Sequence, residues 1–236
     1  MQLPKKIEPD HLIETLVELR MDPACDLRQR KDDIRGLMQT LGYKAYPAPS
    51  IVVKRGGSSE ELAVGAIFTH NCVRVILQSD RLSFNCALQH YLGWDAYRSR
   101  IREVAKLLLD NGITKQFNRA QMRYISEFEQ LDILGRINLS LSCKGPTYAM
   151  QDLNLRRDDQ GCTIFVSLSG LRKRRTANRQ EKTSSLFDVC VLKALTPPTS
   201  SVDDLCQALD EAHTCEKETF FSLLTPDFLT SLNPQY

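Results

Sequence analysis

Three short apolar segments that follow one another almost without a break constrain the fold of this chain more than any other feature. "LAVGAIF", "CVRVILQ" and "LSFNCAL" lie between residues 62 and 88 and are separated only by "THN" and "SDR". In the second segment Val73, Val75 and Leu77 alternate with other residues, which is typical of a strand with one apolar face. Connections this short join antiparallel neighbours, because a parallel crossover needs about a dozen residues or more. The sequence therefore predicts an antiparallel sheet in this region.

The remaining segments divide between strands and amphipathic helices. Apolar residues at helical spacing predict helices over residues 26–42, 94–112 and 201–213, and the apolar tail at 220–229 predicts a last helical piece. Residues 131–140 are compatible with a short helix or with a loop. Alternating patterns predict further strands over residues 11–21, 51–53, 115–129, 147–157, 162–170 and 185–194.

These segments predict an α+β fold. We expect antiparallel sheets with helices on one face, and the similar order of elements in the two halves suggests two tandem β-α-β-β-β-α units. The corresponding division gives an N-terminal α+β half at residues 1–115 and a C-terminal α+β half with a helical tail at residues 116–236. A single continuous domain is the alternative, because no residue motif recurs between the halves.

Composition and cysteine spacing narrow the class of protein. The net charge of +2 gives no global field that would suit a nucleic-acid coat, and no segment has the run of about 20 apolar residues that crosses a bilayer. The eight cysteines include no CxxC pair, so buried thiols are favoured over zinc sites or a disulfide framework. We expect a cytoplasmic protein without a membrane contact.

The segment from Leu171 to Lys182 concentrates positive charge between two predicted strands. It holds six basic residues and one acidic residue, a local charge of +5, and most simply forms the tip of a hairpin. Such a tip could contact phosphates of a nucleic acid, although it has no aromatic residue for base stacking. A solvated tip and a site for an acidic protein partner are the alternatives. The candidate residues are Arg172, Lys173, Arg174, Arg175, Arg179 and Lys182.

Two more arginines extend the candidate nucleic-acid site. Arg119 and Arg123 are four residues apart in the predicted strand 115–129, so both side chains point to the same face. Together they could bind a carboxylate or a phosphate group. Cross-strand ion pairing is the alternative that we favour for them.

The sequence contains no residue set that we assign to a catalytic reaction. The sequence lacks HExxH, GxSxG, Walker and GxGxxG patterns, and its adjacent acid pairs diverge on regular elements. His70 and Cys72 flank a predicted turn, which does not hold them as a nucleophile pair, and His213 fits a packed helix position. We therefore predict no catalytic residues, no metal site and no cofactor.

Several scattered motifs together resemble a sporadically distributed bacterial protein family of unknown function. They are the N-terminal run ending in "ELR", the helix-opening "YLGWDAYRSRI", the "QMRYISEF" strand and a C-terminal His213 followed by Phe220-Phe221 and "LLT". In the family the Arg-Tyr-Ile core usually continues into Asn, where this chain has Ser126. The resemblance implies no activity. The patchy distribution of that family among bacteria is similar to that of toxin–antitoxin and phage-defence modules.

Three functional hypotheses follow from the sequence. The first is a non-enzymatic cytoplasmic protein that binds a protein partner, as a component of a bacterial defence or toxin–antitoxin complex. The second is a nucleic-acid-binding component that uses residues 171–182 together with Arg119 and Arg123. The third is a metal-independent nuclease in which His70 or His213 converges with arginines.

Overall fold

A computed structural model of the chain describes residues 3–47, 50–55, 58–63, 65–86, 91, 93–139, 150–175 and 181–236. At residues 50–55, 58–63 and 174–175 it describes the backbone and not the side chains. Statements below about structure concern these residues.

Strands and helices cover most of the described chain. The strands are β1 (Leu12–Pro23), β2 (Lys44–Tyr46), β3 (Ser50–Arg55), β4 (Ser58–Ala63), β5 (Ala66–His70), β6 (Val73–Gln78), β7 (Arg81–Cys86), β8 (Thr114–Glu129), β9 (Asp152–Asp159), β10 (Cys162–Arg175) and β11 (Glu181–Thr199). The helices are α1 (Lys31–Thr40), α2 (Trp94–Asp110), a 3-10 turn (Ile133–Arg136), α3 (Val202–Leu223) and α4 (Pro226–Ser231).

Nine of the strands form one sheet in the order β2-β5-β6-β7-β1-β8-β11-β10-β9. Strands β3 and β4 pair with each other as a separate two-stranded sheet. The predicted antiparallel meander is confirmed, because Phe68 of β5 lies opposite Val75 of β6, which in turn lies opposite Phe84 of β7. Strands β9 and β10 pair in the same antiparallel way.

The pairing of β1 with β8 joins the strands that precede the two meanders. The Ala24 amide donates to the Ile113 carbonyl at 3.0 Å, and the Glu127 amide donates to the His11 carbonyl at 2.8 Å. The residue numbers rise along one strand while they fall along the other, so the two strands are antiparallel.

This topology corrects the predicted fold. The expectation of several antiparallel sheets with helices on one face, in two tandem β-α-β-β-β-α halves, is wrong. In the part of the chain that the structure describes, nine strands share a single sheet and are accompanied by four α-helices. Alternation of apolar residues shows that a segment is a strand, but it does not show which distant strand is its neighbour. Because β1 pairs with β8, the strands on either side of this pair belong to one sheet.

The described chain contains two compact units that are each built from separate stretches. Unit 1 comprises Met1–Thr15, Met122–Leu192 and Glu211–Tyr236, and unit 2 comprises Leu16–Gln121 and Lys193–Asp210. The division at residues 115 and 116 stays a prediction, because compactness does not show which stretch of chain folds by itself.

The core of unit 1 lies between strand residues of β10 and β11 and the second part of α3. Phe187 of β11 is fully buried, and its ring lies 4.8 Å from that of Phe220 in α3. Phe228 of α4 packs against Phe128 of β8 with a ring separation of 5.6 Å. The apolar tail predicted as a helical piece is therefore part of this core.

The core of unit 2 is formed by β1, the meander and α2. Val17 and Leu19 of β1 are fully buried, as is Phe84 of β7. The buried face of α2 is the stripe expected from the sequence, which consists of Tyr97, Ile101, Val104, Ala105 and Leu108. The Tyr97 hydroxyl donates a hydrogen bond of 2.7 Å to the Phe84 carbonyl, which fixes the helix on the sheet.

Local stop and start signals in the sequence are also confirmed. Gly42 follows α1 with a positive φ of 78°, and its amide donates to the Gln39 carbonyl. At the start of α3 the Ser201 hydroxyl accepts a hydrogen bond of 3.2 Å from the Asp204 amide. Residues 131–140, left open between helix and loop, contain the 3-10 turn at Ile133–Arg136.

The described cysteines are free thiols. None of the seven described cysteines forms a disulfide bond, and four of them are buried, as expected for core thiols. Cys143 lies outside the described residues.

Among the helices that the structure describes, none combines the length and the apolar character needed to span a bilayer.

We expect Tyr97→Phe to lower the free energy of unfolding by about 1 to 2 kcal/mol, because the buried Phe84 carbonyl loses its donor. Urea unfolding followed by far-UV circular dichroism measures the change. Tyr236→Phe is the matched control, since the Tyr236 side chain is 54% exposed and should tolerate the loss of its hydroxyl. Equal destabilisation by both variants would contradict the role assigned to the Tyr97 hydroxyl.

Candidate binding site

The basic segment begins as a continuation of a strand. Residues 171–175 extend β10, and β11 begins at Glu181, so the two strands that flank the segment are those expected for a hairpin. Arg179 lies outside the described residues, and the side chains of Arg174 and Arg175 are not described. Lys173 is exposed.

Two basic side chains of this segment are held by carboxylates of the sheet. Arg172 forms an ion pair with Asp152 of β9 and also donates to the Gln151 carbonyl at 3.3 Å. Lys182 bridges Glu127 and Glu129 of β8, and the hydrogen bond with Glu127 raises the pKa of Lys182. These contacts neutralise part of the local charge.

The Glu127 carboxylate is the centre of the polar group around Lys182. Its side chain is buried, and its Oε1 atom accepts a hydrogen bond of 2.6 Å from the hydroxyl of the fully buried Ser184. Its other oxygen accepts from Lys182. A buried carboxylate with a cation and a hydroxyl as donors has its polar groups satisfied, so the cluster links β8 to β11.

The two arginines of β8 have different surroundings. Arg123 makes a bidentate contact with Asp188 of β11, at 3.0 Å from Nε to Oδ1 and 2.6 Å from Nη2 to Oδ2. The cross-strand ion pair favoured by the sequence is therefore confirmed for Arg123. The Nε atom of Arg119 is buried, and within the described part of the chain it has no hydrogen-bond partner. Whether any of the predicted basic residues binds nucleic acid stays a prediction.

The described histidines are engaged in packing and backbone contacts. The Nδ1 atom of His70 lies 3.1 Å from the Leu41 carbonyl, and the ring contacts Tyr43 edge-on. His11 lies over Phe128 at 4.6 Å, and His213 packs against Tyr124 at 6.0 Å. His90 lies outside the described residues. Across the described ranges, no group of three or more His, Cys, Asp or Glu side chains is arranged to hold a metal ion.

Helix α3 buries two titratable side chains one turn apart. Burial, with a smaller contribution from the neighbouring Lys217, lowers the pKa of His213 to about 3. Burial raises the pKa of Glu216 to about 8, against the smaller opposing effect of Lys217. Both side chains are therefore neutral near neutral pH.

The described residues of unit 2 form a cleft. It has a volume of about 590 Å³ and is lined by residues of α1, β2 and β5. This volume lies within the range of about 300 to 1,000 Å³ that is typical of ligand-binding clefts. Strand β2 contributes all three of its residues to the lining, and each of them is exposed.

Positive charge dominates the chemistry of this cleft. Lys31 and Arg35 of α1 and Lys44 of β2 line it, and the described lining residues include no carboxylate. Arg35 has a weak, exposed contact of 3.4 Å with Asp32. Lys31 and Lys44 form no ion pair with any side chain in the described part of the chain. The arrangement suits a negatively charged ligand.

Apolar and aromatic groups complete the cleft. Ala66, Ile67 and Phe68 of β5 line it, and Tyr46 presents a side chain that is 59% exposed. Tyr46 is the most exposed of the large hydrophobic residues in the part of the chain that the structure describes. A ligand with an anionic group and an apolar portion would find both kinds of contact here.

Sequence reasoning did not find this cleft. For residues 43–60 the sequence predicts only the strand at 51–53, and the helix over residues 26–42 is predicted from its apolar residues alone. Lys31 and Arg35 are four residues apart, so a helical reading places them on one exposed face, and that spacing was an available signal. The position of Lys44 opposite Thr69 depends on the pairing of β2 with β5.

A scan of the chain against protein-family models found no match, and a search of curated proteins found none either. The resemblance to a sporadically distributed bacterial family therefore stays a prediction.

We expect the free energy of unfolding of Glu216→Gln to rise relative to that of the wild type as the pH rises from 4.5 to 8. The unfolded carboxyl ionises near its ordinary pKa of 4.5, whereas the folded one keeps its proton up to about pH 8. Between these values the folded state holds more protons than the unfolded state. The stability that Glu216 contributes to the wild type therefore falls as the pH rises, by at most about 1.4 kcal/mol per pH unit. Urea unfolding at pH 5, 6, 7 and 8 measures the difference.

Glu218→Gln is the control for this series, because Glu218 lies on the same helix and is exposed. Its effect on stability should not vary across this pH range. A Glu216→Gln effect that is the same at pH 5 and pH 8 would contradict the assignment of a neutral carboxyl in the folded protein.

Proposed function

We propose that this chain is a non-enzymatic binding protein and that its cleft in unit 2 receives an anionic group of the partner. The observation that carries the proposal is the convergence of Lys31, Arg35 and Lys44 on a cleft of about 590 Å³. Cations gathered in a concave site focus the field on a ligand, so the site attracts anions more strongly than isolated surface lysines do.

The polar contacts elsewhere support binding over catalysis. Arg123 and Lys182 are held in cross-strand ion pairs, and these stabilise the strands that carry them. The His70 ring contacts a backbone carbonyl, and His213 is kept neutral by burial. A general base needs an accessible ring nitrogen near a reacting group, so these histidines favour a structural role.

A protein is the partner that we propose. The resemblance to a sporadically distributed bacterial family gives the context, which is a cytoplasmic component of a defence or toxin–antitoxin complex. The cleft supplies the mode of contact, since acidic side chains of a partner would pair with its cations. Electrostatic complementarity of this kind sets the association rate and the choice of partner.

A nucleic acid bound by the hairpin is the second candidate. The observation that favours it is the continuation of β10 through the basic residues 172–175, in which Lys173 is exposed. Against it, Arg172 and Lys182 already contact carboxylates. The hairpin belongs to unit 1 and the cleft to unit 2, so variants in each can be tested separately.

Charge reversal of the cleft tests the leading proposal. Lys31→Glu combined with Lys44→Glu should reduce partner capture from the native host at least about tenfold, because two attractive contacts become repulsive. Capture is quantified by mass spectrometry in parallel with the wild type, with and without nuclease.

Lys5→Glu combined with Lys115→Glu is the matched control, since it changes the net charge equally at two exposed lysines outside the cleft lining. The control should capture the same partner as the wild type. Undiminished capture by the cleft variant would refute the proposal. A partner that is lost on nuclease treatment, or on reversal of Lys173, would favour the hairpin hypothesis instead.

A further inference from the structure

We propose that the cleft binds an extended acidic peptide segment of the partner, which adds as a new strand to β2. This inference rests on the proposed function and names the conformation and chemistry of the bound segment. It depends on three features of unit 2: the edge of β2 that pairs with no other described strand, the spacing of the α1 side chains and the apolar contacts beside them.

Strand β2 is at one end of the nine-stranded sheet. Its only hydrogen-bonded neighbour in the strand order of the described residues is β5, with Ala45 opposite Phe68. The other edge of a strand in this position offers N–H and C=O groups that an extended peptide can pair with. These backbone contacts would supply affinity without regard to sequence.

Selectivity would come from the α1 side chains that line the same cleft. Lys31, Arg35 and Gln39 follow one another at four-residue intervals, so they form one stripe along the helix. At a rise of 1.5 Å per residue, successive members are about 6 Å apart along the helix axis. Alternate side chains of an extended peptide are about 6.6 Å apart, so carboxylates two residues apart can meet Lys31 and Arg35 together.

Lys44 and the apolar lining define the rest of the segment. Lys44 and Tyr46 lie on the same face of β2, because they are two residues apart in a strand. A peptide side chain beside Tyr46 would pack its methylene groups against the ring, because neighbouring strands are about 4.8 Å apart. We therefore expect carboxylates at alternate positions, all on the peptide face that meets the cations, while the intervening side chains lie on the other face and need no charge.

The same features favour a peptide over a single-stranded nucleic acid. An oligonucleotide could place phosphates against the cations, but it has no backbone amides to pair with a strand edge. Single-strand binders also use several aromatic side chains for stacking, whereas Tyr46 is the only exposed aromatic residue that lines the described cleft. A helical peptide could match the spacing, yet its backbone groups are already paired within the helix.

The test uses the full-length protein and a fluorescein-labelled peptide of eight residues with alternating Glu and Val. Fluorescence anisotropy measures its binding at low salt. Two further peptides carry N-methyl groups on alternate residues, one set on each edge of the extended chain. If the peptide adds to β2, one methylated peptide should bind at least about tenfold more weakly, and the other should keep the affinity of the parent.

The variants separate failure of this inference from failure of the proposed function. Lys31→Glu with Lys44→Glu should abolish binding of the parent peptide, and Lys5→Glu with Lys115→Glu should not. If both methylated peptides bind like the parent while the cleft variant still loses binding, strand addition is wrong and the anionic cleft stands. If the cleft variant binds the parent peptide like the wild type, the cleft assignment itself fails.

Two other results would overturn the inference. One is the absence of saturable peptide binding by the wild type, and the other is tighter binding of an oligothymidylate of equal charge. Hydrogen exchange gives an independent readout: the amides of Lys44 to Tyr46 should become protected when the peptide is bound. Protection confined to other strands would contradict addition at β2.

Discussion

The antiparallel pairing of β1 with β8 is the interaction on which the rest of the sheet depends. The Ala24–Ile113 and Glu127–His11 hydrogen bonds connect two long strands about one hundred residues apart. Each strand then carries a meander on its other side, β5-β6-β7 beside β1 and β9-β10-β11 beside β8. Closing so long a loop is entropically costly, but the cost grows only slowly with loop length, and a continuous ladder of backbone hydrogen bonds with a buried face offsets it.

A sheet of this kind places its polar side chains in cross-strand pairs. Arg123 with Asp188, and Lys182 with Glu127, join β8 to β11 in unit 1, and Glu18 contacts Arg81 and Ser83 across β1 and β7 in unit 2. These contacts satisfy groups that the sheet partly buries, which explains why conspicuous charges in the sequence need not be ligand-binding groups. Two of the described lysines that form no ion pair, Lys31 and Lys44, line one cleft beside β2, the strand at one end of the sheet.

The cleft is a consequence of that sheet end. Strand β2 is short and pairs with one strand, β5, among those that the structure describes. Helix α1 precedes it in the chain, and lysines of both elements line the same cleft. Backbone groups at a strand edge and cations on an adjacent helix are complementary to an acidic extended peptide in two independent ways. A protein that recognises a partner through these features needs no reacting side chains, which agrees with the roles seen for its histidines.

The sequence by itself determined the elements: the meander at residues 66–86, the apolar stripe of α2, the start of α3 at Ser201 and the cross-strand partner type of Arg123. These follow from periodicity and capping, which act over a few residues. Only the tertiary structure decided that nine strands form one sheet and that Lys31, Arg35 and Lys44 share a cleft. Strand neighbours are chosen by backbone hydrogen bonds that are the same for every sequence, so side-chain patterns identify a strand without identifying its partner.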